Sequence, residues 1–260
     1  MTKNSPAVWD KVWTDPGLMT QDQLIICTEA ASRRWQIVKR IVESEFKAGK
    51  NLKVLELGAG IGTYAGLFAQ TGAKVTVLDY STKALERAKV FFTANGLKAR
   101  FIKGNALHLP SEVKNQKFDI CVSVGLTEHF TDANRLKIHK SHMRVLKNGG
   151  LAIFLTPNQA NLPYRLYKWC SEKLGQWKFG EEYPYSRAEL LSLARQLGGS
   201  VVDLKGDDFY TSLRFLLPAN FLRRWFGVGS PRKISEIKTE KGTFLDDAFG
   251  YCLMLFMKKT

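Results

Sequence analysis

At 260 residues and 45% hydrophobic composition, the chain is long enough to bury one large α/β core with additions. Its 39 basic against 24 acidic residues leave a formal charge of +15, which suits an acidic partner or a basic solubilising surface. No apolar run is long enough to span a bilayer. Cys27, Cys121, Cys170 and Cys252 are too scattered for a C-x-x-C zinc site or a disulfide framework, so no metal is expected. The opening MTKNSPAVWDKVW lacks the apolar stretch of a signal peptide, and a reducing, cytoplasmic setting is expected.

Residues 1–49 read as a helical N-terminal segment. Trp9 and Trp13, at i and i+4, share one helix face, turned either to the core or to a ligand. Residues 21–48 read as one amphipathic helix, its stripe running from Leu24 and Ile25 through Trp35 to Val42. Next, VLELGAGIG (54–62) is an apolar strand that ends in Glu56 and a glycine turn, followed by a helical pattern. A first parallel strand delivers a nucleotide-like ligand to a helix N-terminus in this way. The turn is G-x-G-x-G. Thr63 stands where the dinucleotide fingerprint needs its third glycine, and the carboxylate ahead of the turn suits a cationic amine better than a pyrophosphate.

Lys74 to Asp79 is a second strand. Asp79 follows Gly58 by 21 residues, close to the spacing at which an acid meets ribose hydroxyls. Ser81 can cap the following helix, Lys83 to Asn95, which Gly96 stops. Ala99 to Lys103 is a third strand leading into Gly104-Asn105-Ala106, and Phe118 to Val124 a fourth running into Gly125-Leu126-Thr127-Glu128-His129-Phe130. Val145 to Phe154, with the pair Gly149-Gly150, leads into a fifth strand.

An insertion at 159–183 follows, rich in aromatics: Tyr164, Tyr167, Trp169, Trp177, Phe179 and Tyr183. Its place beyond the strands' carboxyl ends suits a lid or substrate wall; a helix packed on the core is the other reading. Ser186 and Glu189 form a capping box for a helix over 187–197, and Ser200 to Lys205 is a sixth strand. In a second insertion, 207–247, Phe209-Tyr210 and Arg214-Phe215-Leu216-Leu217-Pro218 lead to Phe221-Leu222-Arg223-Arg224-Trp225-Phe226. Aromatics interleaved with arginines suit an anionic membrane interface, a greasy substrate entrance, or a buried helix whose arginines snorkel outward. Ala248 to Lys258 reads as a final strand.

Taken in order, the motifs over about residues 50–158 resemble the class I S-adenosylmethionine-dependent methyltransferases of small-molecule type. The resemblance implies an α/β fold: a Rossmann-like, doubly wound, seven-stranded, mostly parallel sheet with its last strand antiparallel. The domain would span 50–260 and carry the two insertions as lids. It implies S-adenosyl-L-methionine as cofactor and S-adenosyl-L-homocysteine as product. Glu56, Gly58, Ala59, Gly60 and Gly125 would hold the cofactor, Asp79 would take the ribose hydroxyls, Tyr80 would lie near the adenine, and Asn105 and Ala106 would contact it. Asn105 stands where the family often has an acid.

Trp9-Asp10-Lys11-Val12-Trp13 resembles a W-D-x-x-W-like segment that often folds over the cofactor or substrate in these enzymes. Trp9 and Trp13, with Tyr164 and Tyr183 from the insertion, are therefore the candidate substrate contacts. Glu128-His129 resembles the E-H pair found after strand four in many of them. His129 is the candidate catalytic base, since histidine titrates near neutrality; alternatively the pair orders the loop over the cofactor. His108, His139 and His142 read as surface or packing residues. SVGLTEHF (123–130) also resembles a segment of cyclopropane-fatty-acid synthases and points to apolar acceptors.

The expected function is methyl transfer to a small or lipid-like acceptor at oxygen, nitrogen or carbon, with peripheral contact to an anionic membrane. The charge motivates a second reading, an RNA or other nucleic-acid methyltransferase. Against it, GLTEHF (125–130) stands where amino-directed enzymes carry N/D-P-P-Y/F, and the Pro-Cys dipeptide of RNA cytosine-5 enzymes is absent. The intact glycine turn and Asp79 disfavour a non-catalytic cofactor binder, and Thr63 disfavours a dehydrogenase.

Overall fold

The computed structural model describes residues 4–15, 22–46, 51–216 and 242–260. Its centre is β1 (Lys53–Leu57), which pairs in parallel with β2 (Lys74–Asp79) on one side and β4 (Phe118–Val124) on the other. β3 (Ala99–Lys103) extends the sheet beyond β2, and β5 (Leu146–Pro157) beyond β4. β7 (Cys252–Lys258) runs antiparallel between β5 and β6 (Ser200–Asp207), giving the order β3-β2-β1-β4-β5-β7-β6. Parallel strands covered on both faces need side chains that tolerate burial on both, hence the near-continuous apolar runs of β1, β4 and β5. One face of the sheet packs Trp35, Phe68, Phe91 and Phe92, the other Phe118, Ile138, Tyr185 and Leu190. The seven-stranded, doubly wound sheet and the antiparallel β7 match expectation.

The strand order reverses between β1 and β4, and crevices open at the carboxyl ends of strands at such a point. Local chemistry aims the chain there. Gly62, at φ +74°, starts α4 (Thr63–Gln70) directly after the β1 turn. The Ser81 hydroxyl accepts from the Ala84 amide to open α5 (Thr82–Ala94), and Ser186 accepts from Glu189 to open α9 (Arg187–Gln196). The Glu189 carboxylate reaches sideways, at 2.7 Å, to Arg135 of α7 (Asp132–Val145), the helix that follows the single-turn α6 (Ser111–Lys114) and β4.

Two local readings are corrected. The long N-terminal helix is two helices, α2 (Asp22–Ala30) and α3 (Arg33–Phe46), because Ser32 breaks it: its Oγ accepts from the Trp35 amide at 3.1 Å and restarts the helix. The change of direction sets Trp35 edge-on against Tyr64 and Phe68. Secondly, Ala248 belongs to a short helix, Phe244–Phe249, and not to the last strand. A capping box formed by Thr243 and Asp246 opens that helix, and β7 begins only at Cys252.

Of the first insertion, α8 (Leu162–Lys173) is helical and the chain then returns as coil to Tyr185. Phe221 to Phe226, the segment that suggested a membrane interface, lies outside the described residues. Among the described residues no helix is long and apolar enough to cross a membrane.

Candidate active site

A cavity of about 930 Å³ opens over the carboxyl ends of β1, β2 and β4. Its floor is the glycine turn. Gly58 and Gly60 have φ of +59° and +55°, a region that side-chain-bearing residues rarely enter. A Cβ on Gly58 would lie 2.4 Å from Leu126, and one on Gly60 would lie 2.4 Å from Trp13. Two buried acids hold the turn. Glu56 Oε2 accepts from the Ala65 amide at 2.6 Å, which ties β1 to the first turn of α4. Asp79 accepts from Gly60 N at 2.9 Å through Oδ2 and from Ser81 N at 2.8 Å through Oδ1. Burial pushes the Glu56 carboxyl up to about 8 and that of Asp79 up to about 6, with peptide donors opposing the rise in both.

The N-terminal segment roofs this floor. Asp10 accepts from the Ser81 hydroxyl at 2.5 Å and from the Lys83 amide at 3.2 Å, docking α1 (Pro6–Trp13) on the N-terminus of α5. The Ser81 bond holds the Asp10 carboxyl below its ordinary range. Asn4 joins three distant segments. Its Nδ2 donates to the His129 carbonyl at 2.9 Å, its Oδ1 accepts from Glu181 N at 3.1 Å, and its carbonyl accepts from the Tyr80 hydroxyl at 2.9 Å.

The other half of the cavity is walled by the first insertion and by the start of the second. Tyr164, Tyr167, Trp177, Phe179, Phe215 and Tyr251 line it, with Glu128, His129 and Glu182 among them. The rings form one continuous contact: Tyr167 stacks on Phe215 at 5.2 Å, Tyr164 meets Tyr251 edge-on at 5.1 Å, and Trp177 meets Phe179 at 5.5 Å. The insertion is therefore a cavity wall; the residues that would have packed it on the core as a helix, Leu162, Leu166, Trp169 and Leu174, are exposed instead. The Tyr164 hydroxyl donates to Glu182. Burial pushes the Glu128 carboxyl up to about 8, reinforced by Glu182, and the Glu182 carboxyl up to about 7.

Of the residues singled out in the sequence, the cavity brings together Glu56, Gly58, Ala59, Gly60, Asp79, Tyr80, Asn105, Ala106, Gly125, His129, Trp9, Trp13 and Tyr164. Asn105 Oδ1 accepts from the Leu107 amide at 2.8 Å, so its carbonyl oxygen orders the loop itself. His129 Nδ1 lies 2.7 Å from the Glu181 carbonyl, and Trp9 meets the ring edge-on at 4.8 Å. Burial pushes His129 down to about 4, so the ring is neutral near pH 7. Tyr183 is not part of the lining: its amide ties to the Glu128 carbonyl and its hydroxyl to Glu181. His139 and His142 are buried against Phe154, while His108 is exposed.

Sequence reading missed Asn4, Glu182 and Tyr251, whereas Phe215 lies in the aromatic and arginine run that suited a greasy substrate entrance. Glu182 carried a signal, since it lies in the E-E-Y-P-Y-S stretch that leads into the Ser186 cap. Asn4 and Tyr251 have no local pattern, and only the fold brings them to the cavity.

Comparison with known proteins agrees with this geometry. The family pattern of a methyltransferase domain matches residues 54–150. A ubiquinone biosynthesis O-methyltransferase of Rickettsia canadensis (strain McKiel) is 23% identical over 177 residues, 66% of this chain and 73% of that protein. The uncharacterized methyltransferase YbaJ of Bacillus subtilis (strain 168) is 33% identical over 166 residues, 59% of this chain and 62% of that protein. Among solved structures, magnesium protoporphyrin IX methyltransferase (ChlM) from Synechocystis PCC 6803, with S-adenosylhomocysteine bound, superposes with a TM-score of 0.59 at 16% identity, covering 98% of this chain and 93% of that one. The PH0226 protein from Pyrococcus horikoshii OT3 superposes at 0.57 with 16% identity, covering 87% and 90%. Residues 54–150 thus carry a methyltransferase domain, and the chain is similar over 59–66% of its length to proteins named as methyltransferases.

Proposed function

We propose that the enzyme transfers a methyl group from S-adenosylmethionine to a small or lipid-like acceptor held against the aromatic wall. The observation that carries this reading is that one cavity of about 930 Å³ joins the glycine floor to that wall. The floor fits the cofactor. Positive-φ glycines give the turn its sharp backbone and let Leu126 and Trp13 close directly over it, and the carboxylate of Asp79 offers acceptor oxygens to a ribose diol. Glu56, Gly58, Ala59, Gly60, Asp79, Tyr80, Asn105, Ala106 and Gly125 would hold it. When bound, the cofactor supplies an activated methyl group on a sulfonium. The protein's part is to orient the acceptor and to exclude water. The relatives named for ubiquinone biosynthesis support a small-molecule acceptor.

His129 positions the site. Pushed down to about 4 by burial, against the opposing effect of the Glu181 carbonyl, its ring is too weak a base to gain much by proton abstraction near neutrality. It ties the loop after β4 to Glu181, and so to the acceptor wall.

Methyl-labelled S-adenosylmethionine, incubated with the protein and host-cell extract, tests the reading. Label is expected in the small-molecule or lipid fraction. Label confined to RNA or protein would overturn it and make the chain's net charge the better guide to the acceptor.

A further inference from the structure

Building on that methyltransferase reading, we propose that the acceptor carries a cationic amine, seated between the Glu128 and Glu182 carboxylates and the aromatic faces of Tyr167, Trp177 and Tyr251. The first argument is charge inversion. The chain carries 39 basic and 24 acidic residues, yet the cavity is lined by Glu29, Glu56, Asp79, Glu128 and Glu182 against Arg34 and Arg87. Three of the five acids have work inside the protein. Glu56 and Asp79 hold the glycine turn through peptide amides. Glu29 accepts from the Tyr64 hydroxyl at 2.9 Å and lies 3.6 Å from Arg34.

Glu128 and Glu182 remain, both on the aromatic half; among the described residues Glu182 accepts only from the neutral Tyr164 hydroxyl. Glu128 is 2% exposed and faces the cavity, with the Thr156 hydroxyl 3.5 Å away. Neither carboxylate has a cation within 4.0 Å among the described residues. A buried carboxylate is retained at a cost unless a partner charge reaches it, and here the open side of the pair is the cavity.

The rings supply the second argument, independent of the acids. Electron-rich faces attract a cation within about 6 Å of a ring centroid, and ammonium groups are recognised in boxes of such faces. This wall already holds one: Lys168 Nζ lies 5.3 Å from the Trp177 ring centre. An ammonium is therefore at home beside Trp177, and the cavity side of the same aromatic cluster faces Glu182 and Glu128. Burial raises both carboxyls toward neutrality, opposed only in part by Tyr164 and Lys168 at Glu182 and by Thr156 and Arg135 at Glu128, and a bound cation would return them to the ionised form. The cation is the group recognised; it need not be the atom methylated.

The test uses the full-length protein saturated with S-adenosylhomocysteine. Choline and its uncharged carbon isostere, 3,3-dimethylbutan-1-ol, are titrated by calorimetry. Choline is expected to bind at least about tenfold more tightly than the isostere. Glu182→Gln and Glu128→Gln should each bring that preference to within about twofold, while Glu182→Gln leaves S-adenosylhomocysteine affinity unchanged. Dodecyltrimethylammonium separates two sources of the cation. A gain over choline assigns it to a lipid-like amine, equal affinity to a small free amine, and both sustain the proposal. Equal binding of choline and the isostere, or a preference that survives both substitutions, would overturn it. Failure of the unsubstituted protein to bind S-adenosylhomocysteine is a separate result, read in the first titration, and would overturn the methyltransferase reading beneath it.

Discussion

Asp79 is committed to the protein before it meets any ligand. Its two oxygens take amide protons from Gly60 and Ser81, so it shapes the glycine turn and caps the entry to α5 together. Each oxygen keeps a further lone pair for a hydroxyl donor. Asp79→Ala is therefore expected to weaken S-adenosylhomocysteine binding by about 1–3 kcal/mol, roughly 5- to 150-fold, read by calorimetry. Unchanged affinity would remove Asp79 from the cofactor site. This residue was legible in the sequence because strand, acid and glycine turn are local and their spacing is set by one β-α-β unit. Asn4 was not legible. Its three bonds reach Tyr80, His129 and Glu181, which lie 76, 125 and 177 residues away in the chain, and nothing near Asn4 announces them. His129 lies between these cases. Its place after β4 was readable, but its chemistry depends on burial and on a carbonyl from the acceptor wall, which only the fold supplies.

At the scale of elements, the sheet was readable because buried parallel strands must be apolar along their whole length, and each ends at a glycine or an acid. The N-terminal helices were not, because the amphipathic stripe from Ile25 to Val42 continues through the break. A hydrophobic period registers which face is apolar and is blind to a cap in mid-run. Ser32 makes the break by accepting from the Trp35 amide, and Gln36 reaches back to the Ala30 carbonyl at 2.8 Å. Ser32→Ala is expected to cost about 1 kcal/mol of stability in urea unfolding, as the loss of other N-caps does. A substitution without effect would mean that packing of Trp35 on Tyr64 and Phe68 sets the break alone. The same blindness explains the last strand. AFG (248–250) has strand-like composition, but the Thr243–Asp246 capping box claims Ala248 and Phe249 for a helix.

For the whole molecule, the site's buried acids set a pH dependence that opposes that of the core histidines. Burial pushes His129 and His139 down to about 4, and His142 to about 3, from an ordinary 6.5. The unfolded chain binds those protons first, so their contribution is full above pH 6.5 and is lost as pH falls toward 4. Glu56 and Glu128 work the other way. Raised from 4.5 to about 8, they stay protonated in the native state where the unfolded chain has ionised. Their contribution is full below pH 4.5 and is lost as pH rises through 8. Between 4.5 and 6.5 the two sets oppose each other. Above 6.5 the histidines no longer titrate in either state, while Glu56 and Glu128 do so up to about 8, joined by Glu182 up to about 7. Stability of the ligand-free protein should then fall with rising pH, by up to about 1.4 kcal/mol per pH unit for each carboxyl involved. Scanning calorimetry between pH 6.5 and 8.5 should show a declining Tm, with a shallower decline in Glu128→Gln, which removes one titrating group. A Tm independent of pH across that range would mean that water or a counter-ion reaches the two acids, and that the acceptor half of the cavity is wetter than its aromatic lining implies.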